Sequence, residues 1–209
     1  MDPLEKRYVW DTYKKIAENF SVTRAYLWDS VDAFMKQIPA HSFVLEVGCG
    51  NGKNLDLPKR RDLCLMGCDF TPDFCNITAK KGLECTTANV LALPYRSSSV
   101  DYMLCIAVIH HLSTEDRRVE SIREMLRVLR PGGRLLLQVW ALEQPAKSRN
   151  TFTKADNLVP WRNSSHTMHE QRFYHVFKEG ELERLVTLAG GSIVSSCYEV
   201  GNWVVELVR

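Results

Sequence analysis

The sequence has no apolar run approaching the ~20 residues that span a bilayer, so no membrane-crossing helix or membrane partner is expected. The opening stretch Met1-Asp2-Pro3-Leu4-Glu5-Lys6-Arg7 lacks the apolar core of a secretory signal. There is no Cys-x-x-Cys pair either. The seven cysteines are an odd, scattered set, several inside apolar runs (Cys64, Cys68, Cys105). That pattern excludes a disulfide framework and a zinc finger, and reduced buried thiols in the cytosol fit it better. A cytoplasmic location, with a nuclear one also open, is therefore the expectation. Asn76-Ile77-Thr78 and Asn163-Ser164-Ser165 match the glycosylation pattern but carry no weight without a signal. A surplus of either charge is missing too: the formal net charge is +2, so no global field marks a nucleic-acid binder. Repeats, low-complexity tracts and linkers are also absent, and 209 residues read as one domain, 1–209, with helices over the first forty residues covering the site.

What remains is the makeup of a globular chain, 45% hydrophobic and 25% charged. Helical periodicity runs over Arg7–Phe20 (Val9, Tyr13, Ile16, Phe20) and over about Ala25–Ile38, which Pro39 ends. Strands are predicted at Ser42–Val47, Leu63–Cys68, Leu83–Ala88, Val100–Ala107 and Arg134–Trp140. Helices are predicted between them at Pro72–Lys81 and Glu115–Leu129, the latter capped by Ser113. Pro131-Gly132-Gly133 breaks the chain before the fifth strand. A polar loop containing Pro160 then leads to a helix over Glu179–Ala189, closed by Gly190-Gly191. Ile193–Tyr198 and Trp203–Val208 follow as a hairpin. Such alternation predicts a Rossmann-like α/β fold: a seven-stranded, mostly parallel sheet with helices on both faces.

The strongest local signal is Val44-Leu45-Glu46-Val47-Gly48-Cys49-Gly50-Asn51-Gly52. A strand that ends in Gly-x-Gly-x-Gly turns tightly and lets backbone approach a ligand where any Cβ would clash. The spacing is not that of Gly-x-Gly-x-x-Gly, whose pyrophosphate sits on a helix N-terminus, so a nucleotide lacking phosphate, such as S-adenosylmethionine, suits it better. Asp69 ends the next strand at roughly the 20-residue interval where an acid meets ribose hydroxyls.

With these motifs the chain resembles the class I S-adenosylmethionine-dependent methyltransferases. Glu46 to Gly52 is similar to their first motif and Gly67-Cys68-Asp69 to their second. Ala88-Asn89-Val90, followed by Leu93-Pro94, matches the third, and Val100 to Leu112 the fourth. Leu129-Arg130-Pro131-Gly132-Gly133 resembles the turn before the fifth strand. The resemblance implies a cofactor site of Glu46, Gly48, Cys49, Gly50, Asn51, Gly52, Asp69, Asn89, Val90 and Ile106. Asn89 departs from the usual Asp. Its side-chain oxygen still accepts a hydrogen bond, so weakened rather than absent cofactor binding is expected.

A finer resemblance lies in Ile106-Ala107-Val108-Ile109-His110-His111-Leu112 and Val139-Trp140-Ala141-Leu142-Glu143-Gln144. Tyr13 to Ser21 with Thr23-Arg24, Leu158 to Arg162, and Arg172-Phe173-Tyr174-His175-Val176-Phe177 extend it. Together they look like the eukaryotic enzymes that esterify 5-carboxymethyluridine at the tRNA wobble position, in a free-standing form without oxygenase or RNA-recognition domains. The resemblance implies a tRNA anticodon loop as substrate. It also implies a small zinc-binding activator subunit that adds a strand to Leu83–Ala88, a sheet edge lacking the charges that normally protect one. The zinc would be the partner's, since this chain offers no ligand cluster and no metal site of its own is expected.

An ionised carboxylate is already a nucleophile and needs positioning rather than a base. Arg24, His110, Arg172 and His175 are candidates to locate it, with His110 favoured over His111 because strand-end residues face the cofactor crevice. Tyr13, Trp140 and Tyr174 are candidates to wall the pocket or stack on a base. Packing competes with each: Trp140 suits a core as well, and Phe20 and Trp28 suit it better. Arg172 and His175, set in a mildly basic stretch with Lys147, Arg149, Lys154, Arg162 and Lys178, would pass as solvated charges on charge alone. Two other functions stay open: methylation of a small-molecule carboxylate or quinone on the same fold, and a catalytically weak cofactor-binding scaffold.

Overall fold

The apolar runs pair into one sheet in the order β3-β2-β1-β4-β5-β9-β8. The structure is a computed structural model that describes residues 1–22, 27–56, 60–163, 167 and 169–209. Strands β1 (Phe43–Val47), β2 (Cys64–Asp69), β3 (Glu84–Thr87), β4 (Val100–Ile106) and β5 (Leu129–Trp140) run parallel. β8 (Ser192–Glu199) and β9 (Asn202–Val208) form the expected antiparallel hairpin beside β5. The expected fold class is the one formed.

Alternation along the central strands divides the core between two faces. On β4, Met103 and Cys105 join Val119, Ile122, Met125 and Leu126 of α5 (Glu115–Val128) and Leu182, Leu185 and Val186 of α6 (Glu181–Ala189). Leu104 and Ile106 turn the other way, against Val31, Phe34 and Met35 of α3 (Asp29–Gln37). α4 (Pro72–Ala79) joins β2 to β3.

The N-terminal helix departs from its expected regularity. α1 (Pro3–Glu5) passes through a π-helical turn, Lys6–Trp10, into α2 (Asp11–Val22), and the Asp11 N–H donates to the Lys6 carbonyl. The cap of α5 is also not the expected one. Thr114 accepts from the Arg117 N–H, while Ser113 donates both its N–H (2.8 Å) and its hydroxyl (2.9 Å) to the Glu5 carboxylate. β5 starts earlier than expected: Leu129 pairs with Val100 and Arg134 with Tyr102, and the intervening proline and glycines form the irregularity.

The larger departure is the stretch expected to be a polar loop. It folds as a second sheet, β6 (Asp156–Arg162) paired antiparallel with β7 (His169–His175). Pro160 argued against a strand, but in a two-stranded sheet each strand keeps a free edge where a missing N–H is tolerated. Trp161 packs with Tyr13, Ile16 and Phe74, which fastens this hairpin to α2 and α4. One thiol assignment also changes: Cys64 is exposed, and so is Cys197, while Cys49, Cys68, Cys75 and Cys105 are buried and all seven are free. No described helix is long and apolar enough to cross a membrane.

Candidate functional site

A cavity of about 580 Å³ opens at the carboxyl ends of β1, β2 and β4, within the range of small-ligand sites. Its floor is the glycine loop. At Gly48 (φ +73°) a Cβ would collide with the Val108 side chain, so the close passage of the two segments requires glycine. At Gly50 (φ +54°) a Cβ would meet nothing within 4 Å, because the position faces open cavity. Cys49 and Asn51 line the cavity as well, whereas Gly52 lies against Thr78 and Leu83 behind it. Ala107, at the end of β4, has φ +61°, a strained value for a non-glycine residue, and it too borders the cavity.

The acids of the site are held differently. Asp69 Oδ2 accepts from the Gly50 N–H (2.9 Å) and Oδ1 from the Thr71 N–H (2.8 Å), so the carboxylate ties the loop to β2. Each oxygen keeps a second lone pair for a hydroxyl. Burial, against these bonds, pushes the Asp69 pKa up to about 6. Glu46 is 1% exposed; its Oε1 accepts from Asn54 Nδ2 at 2.5 Å, and its Oε2 has no partner among the described residues. Burial raises Glu46 to about 8, against the Asn54 bond. Asn89 lines the cavity, yet its side-chain oxygen accepts from the Leu91 N–H (3.0 Å) in a local turn, which leaves one lone pair for a ligand. Val90 and Ile106 complete the apolar wall.

The donor set fits S-adenosylmethionine. An unpartnered buried carboxylate oxygen suits an ammonium, a second carboxylate suits a ribose diol, and the glycine cradle leaves open space beside them. No described cluster of His, Cys, Asp and Glu could hold a metal.

The other end of the cavity is aromatic. Tyr13 and Trp140 line it, and Tyr174 stacks on Trp140 with centroids 4.3 Å apart. Here the expectation for the histidines is corrected: His111, not His110, is on the lining. The short 3₁₀ turn Ile109–His111 follows β4, and its phase decides which ring faces in. His111 Nδ1–H donates to the Phe173 carbonyl (2.7 Å), so Nε2 carries the lone pair and accepts from the Tyr13 hydroxyl (3.0 Å). Burial holds its pKa down at about 3. His110 is 1% exposed behind Trp140; its Nδ1 accepts from the Trp140 N–H (3.2 Å), so Nε2 bears the proton and has no acceptor among the described residues. Burial drives its pKa far below the usual value, and the neighbouring His111 adds to that.

Arg172 is not a solvated charge. It is 4% exposed, its guanidinium carbon lies 5.1 Å from the Tyr174 ring centre, and its Nε and Nη1 have no partner among the described residues. Like Arg172 and Tyr174, His175 is absent from the cavity lining. Asp156 (2.7 Å) and Glu181 (2.7 Å) hold its two ring nitrogens, joining the β6–β7 hairpin to α6. Arg24 lies outside the described residues. The sequence reading missed His111, Glu5, Trp10, Phe70 and Asn54. Of these, His111 and Phe70 stood next to recognised motif residues, His110 and Asp69.

A glycine loop at the head of this strand order, with an acid on the next strand, defines a methyltransferase domain. The chain matches the family described as "Methyltransferase domain" over residues 45–137. It is 36% identical to the tRNA (carboxymethyluridine(34)-5-O)-methyltransferase of Schizosaccharomyces pombe, covering 95% of each chain. It is 34% identical to the tRNA (carboxymethyluridine(34)-5-O)-methyltransferase alkbh8 of Xenopus tropicalis over 99% of this chain, but spans only 41% of that longer protein. Among solved structures, the fold is shared with a chain described as a methyltransferase in complex with the Haloferax volcanii Trm112 methyltransferase activator. That likeness has a TM-score of 0.68 and 15% identity, and covers 97% and 98% of the two chains. SAM-dependent methyltransferases are among the other structures of this fold. The chain belongs to the tRNA (carboxymethyluridine(34)-5-O)-methyltransferase family.

Proposed function

We propose that the chain uses S-adenosylmethionine to esterify the carboxylate of 5-carboxymethyluridine at position 34 of tRNA. One observation carries the choice of acceptor: behind the Tyr13–Trp140 wall, one layer off the lining, lie buried donors without acceptors among the described residues, Arg172 Nε and Nη1 and His110 Nε2. A buried guanidinium without an anion is costly, and a substrate carboxylate is the group that would satisfy it. The same wall holds no usable base, since both histidines are kept neutral and weakly basic. A hydroxyl acceptor needs a base; an ionised carboxylate does not.

The cofactor, when bound, supplies an electrophilic methyl, and the products are the methyl ester and S-adenosylhomocysteine. The chain's own residues position the reactants. Glu46 and Asp69 orient the cofactor, Trp140, backed by Tyr174, offers an aromatic face for the base, and the donors around Arg172 hold the carboxylate in line. The relatives' names support tRNA as the carrier. The exposed β3 edge supports a small zinc-binding activator as partner, as does the activator in the related complex.

Incubating the chain and its activator with methyl-labelled adenosylmethionine and total tRNA, then separating the nucleosides, tests the reading. Label in 5-methoxycarbonylmethyluridine is expected. Label in any other nucleoside, or transfer only to a free small molecule, would overturn it.

A further inference from the structure

The N-terminal helix holds a buried carboxylate that the proposed chemistry does not use. Glu5 is 6% exposed and fully engaged across the molecule, with Arg117 Nε (2.8 Å) and Nη2 (2.6 Å) and with the Ser113 N–H and hydroxyl. The very next residue opens the π-helical segment, Lys6–Trp10, which changes the phase of the helix between Glu5 and Tyr13. Through that change Glu5, Val9, Trp10 and Tyr13 all border the cavity. Trp10 packs on Phe70, the residue after Asp69, with ring centroids 4.4 Å apart at 53°. The Ala88 N–H donates to the Asp69 carbonyl (2.9 Å), beside Phe70, and Ala88, Asn89 and Val90, which follow β3, line the same cavity. In a nucleotide cleft of this kind the acid after the second strand takes the ribose, so the base lies beyond it. A π-turn is uncommon and concentrates at functional sites.

We propose that Trp10 is an adenine-binding residue and that the Glu5–Arg117–Ser113 cluster is the latch that holds it over the nucleotide. The N-terminal helix is thereby part of the cofactor site and must release for S-adenosylhomocysteine to leave. This rests on the cofactor reading above. Trp10 touches the ligand; Glu5 is a positioning residue that acts through the helix.

The test uses the full chain with its activator and S-adenosylhomocysteine as probe, by calorimetry and by stopped-flow tryptophan fluorescence. Trp10→Ala raises Kd about tenfold, the usual scale for a base losing an aromatic face, with the melting temperature close to wild type. Glu5→Gln keeps the volume of the side chain and weakens the latch. It speeds release and also speeds association, because a lid that opens more often admits ligand faster. A merely structural defect would lower the melting temperature without raising the association rate. Unchanged Kd in Trp10→Ala, with wild type binding normally, would overturn this proposal alone. If the wild type binds no S-adenosylhomocysteine, the cofactor reading falls and this one with it. Arg117→Lys, which keeps the charge and loses the two-point contact, reproduces the faster exchange if the latch is real; wild-type rates in that variant would count against it.

Discussion

Glu46 shows how one residue couples the cofactor to pH. Burial lifts its pKa from the ordinary 4.5 to about 8, so the ligand-free protein carries it protonated at pH 7. A ligand ammonium beside Oε2 would lower that pKa, so binding at pH 7 should release a proton. Calorimetry in buffers of different ionisation enthalpy reads this directly, and Glu46→Gln should abolish the release. The same shift fixes the sign for stability. An acid whose folded pKa is raised favours the fold at low pH, and that contribution is lost as pH climbs from 4.5 toward 8. The melting temperature of ligand-free Glu46→Gln should therefore fall less between pH 5 and 9 than that of the wild type. Asp69→Ala should weaken cofactor binding by roughly 1.5–3 kcal/mol, the scale of hydrogen bonds to a charged group. Arg172 carries the opposite trade. Replacing an unpaired buried charge with an apolar chain of similar length is often neutral or stabilising. Arg172→Met should thus keep or raise the melting temperature while turnover falls roughly tenfold to a hundredfold, the rate equivalent of a lost charged contact. Loss of both activity and fold would make the residue structural. Site residues were legible from sequence where the backbone dictates them: Gly48, Gly50 and Asp69 follow from a strand-turn geometry written in adjacent residues. His111 was not legible, since the phase of a three-residue turn chooses between two neighbouring rings. Nor was the burial of Arg172, because that comes from packing against Phe20 and Tyr174.

Among the elements, the glycine loop and the β3 edge make separable predictions. A side chain at Gly50 would project into open cavity, but φ +54° also strains any L residue there. Gly50→Val should therefore abolish cofactor binding and also lower the melting temperature by a few degrees. Strand β3 does lie at the sheet edge and carries a single charge, Glu84. Cys85 is a poor place to block it, since its sulfur lies 3.4 Å from Cys49 Sγ in the glycine loop. Thr86→Lys with Thr87→Lys places two charges on exposed edge positions instead, and should prevent co-purification with the activator while leaving the isolated chain's fold intact. Normal co-purification would place the partner elsewhere. The central strands of the large sheet, β1 and β4 above all, were readable because they are apolar runs covered on both faces. The β6–β7 hairpin was not: it is half exposed, holds Pro160, and gains its order from Trp161 packing on Tyr13 and Phe74. Tertiary contact made that element, and no local pattern announced it. The π-turn is of the same kind, set by what Glu5 and Trp10 reach rather than by the composition of Lys6–Trp10.

For the whole molecule, the question is whether the acceptor arrives on an RNA. A net charge of +2 supplies no general attraction, so any RNA affinity must come from local cations. Lys147, Arg149, Lys154 and Arg162 lie along the segment from β5 into β6, in the part of the chain that supplies Trp140 and leads on to Tyr174 and Arg172. If three or four of them meet phosphates of an anticodon loop, log(kcat/KM) for tRNA should fall with log[salt] at a slope near −2 to −3, as counterion release from a single strand requires (about −0.7 per phosphate). The free nucleoside makes no such contacts, so its much lower kcat/KM should be nearly flat in salt. Charge reversal at Lys154 and Arg162 should flatten the tRNA slope by about one unit and leave the nucleoside reaction unchanged. In cells without the chain, nucleoside mass spectrometry of tRNA should show carboxymethyluridine, or its amide, accumulating and the methyl ester missing. The two measurements fail in different ways. A flat tRNA slope with a normal methyl ester in the deleted cells would point to a small-molecule carboxylate, held by the same Arg172 and His110 donors. A steep slope with the ester still present would mean that the chain binds the RNA while another enzyme supplies the methyl group.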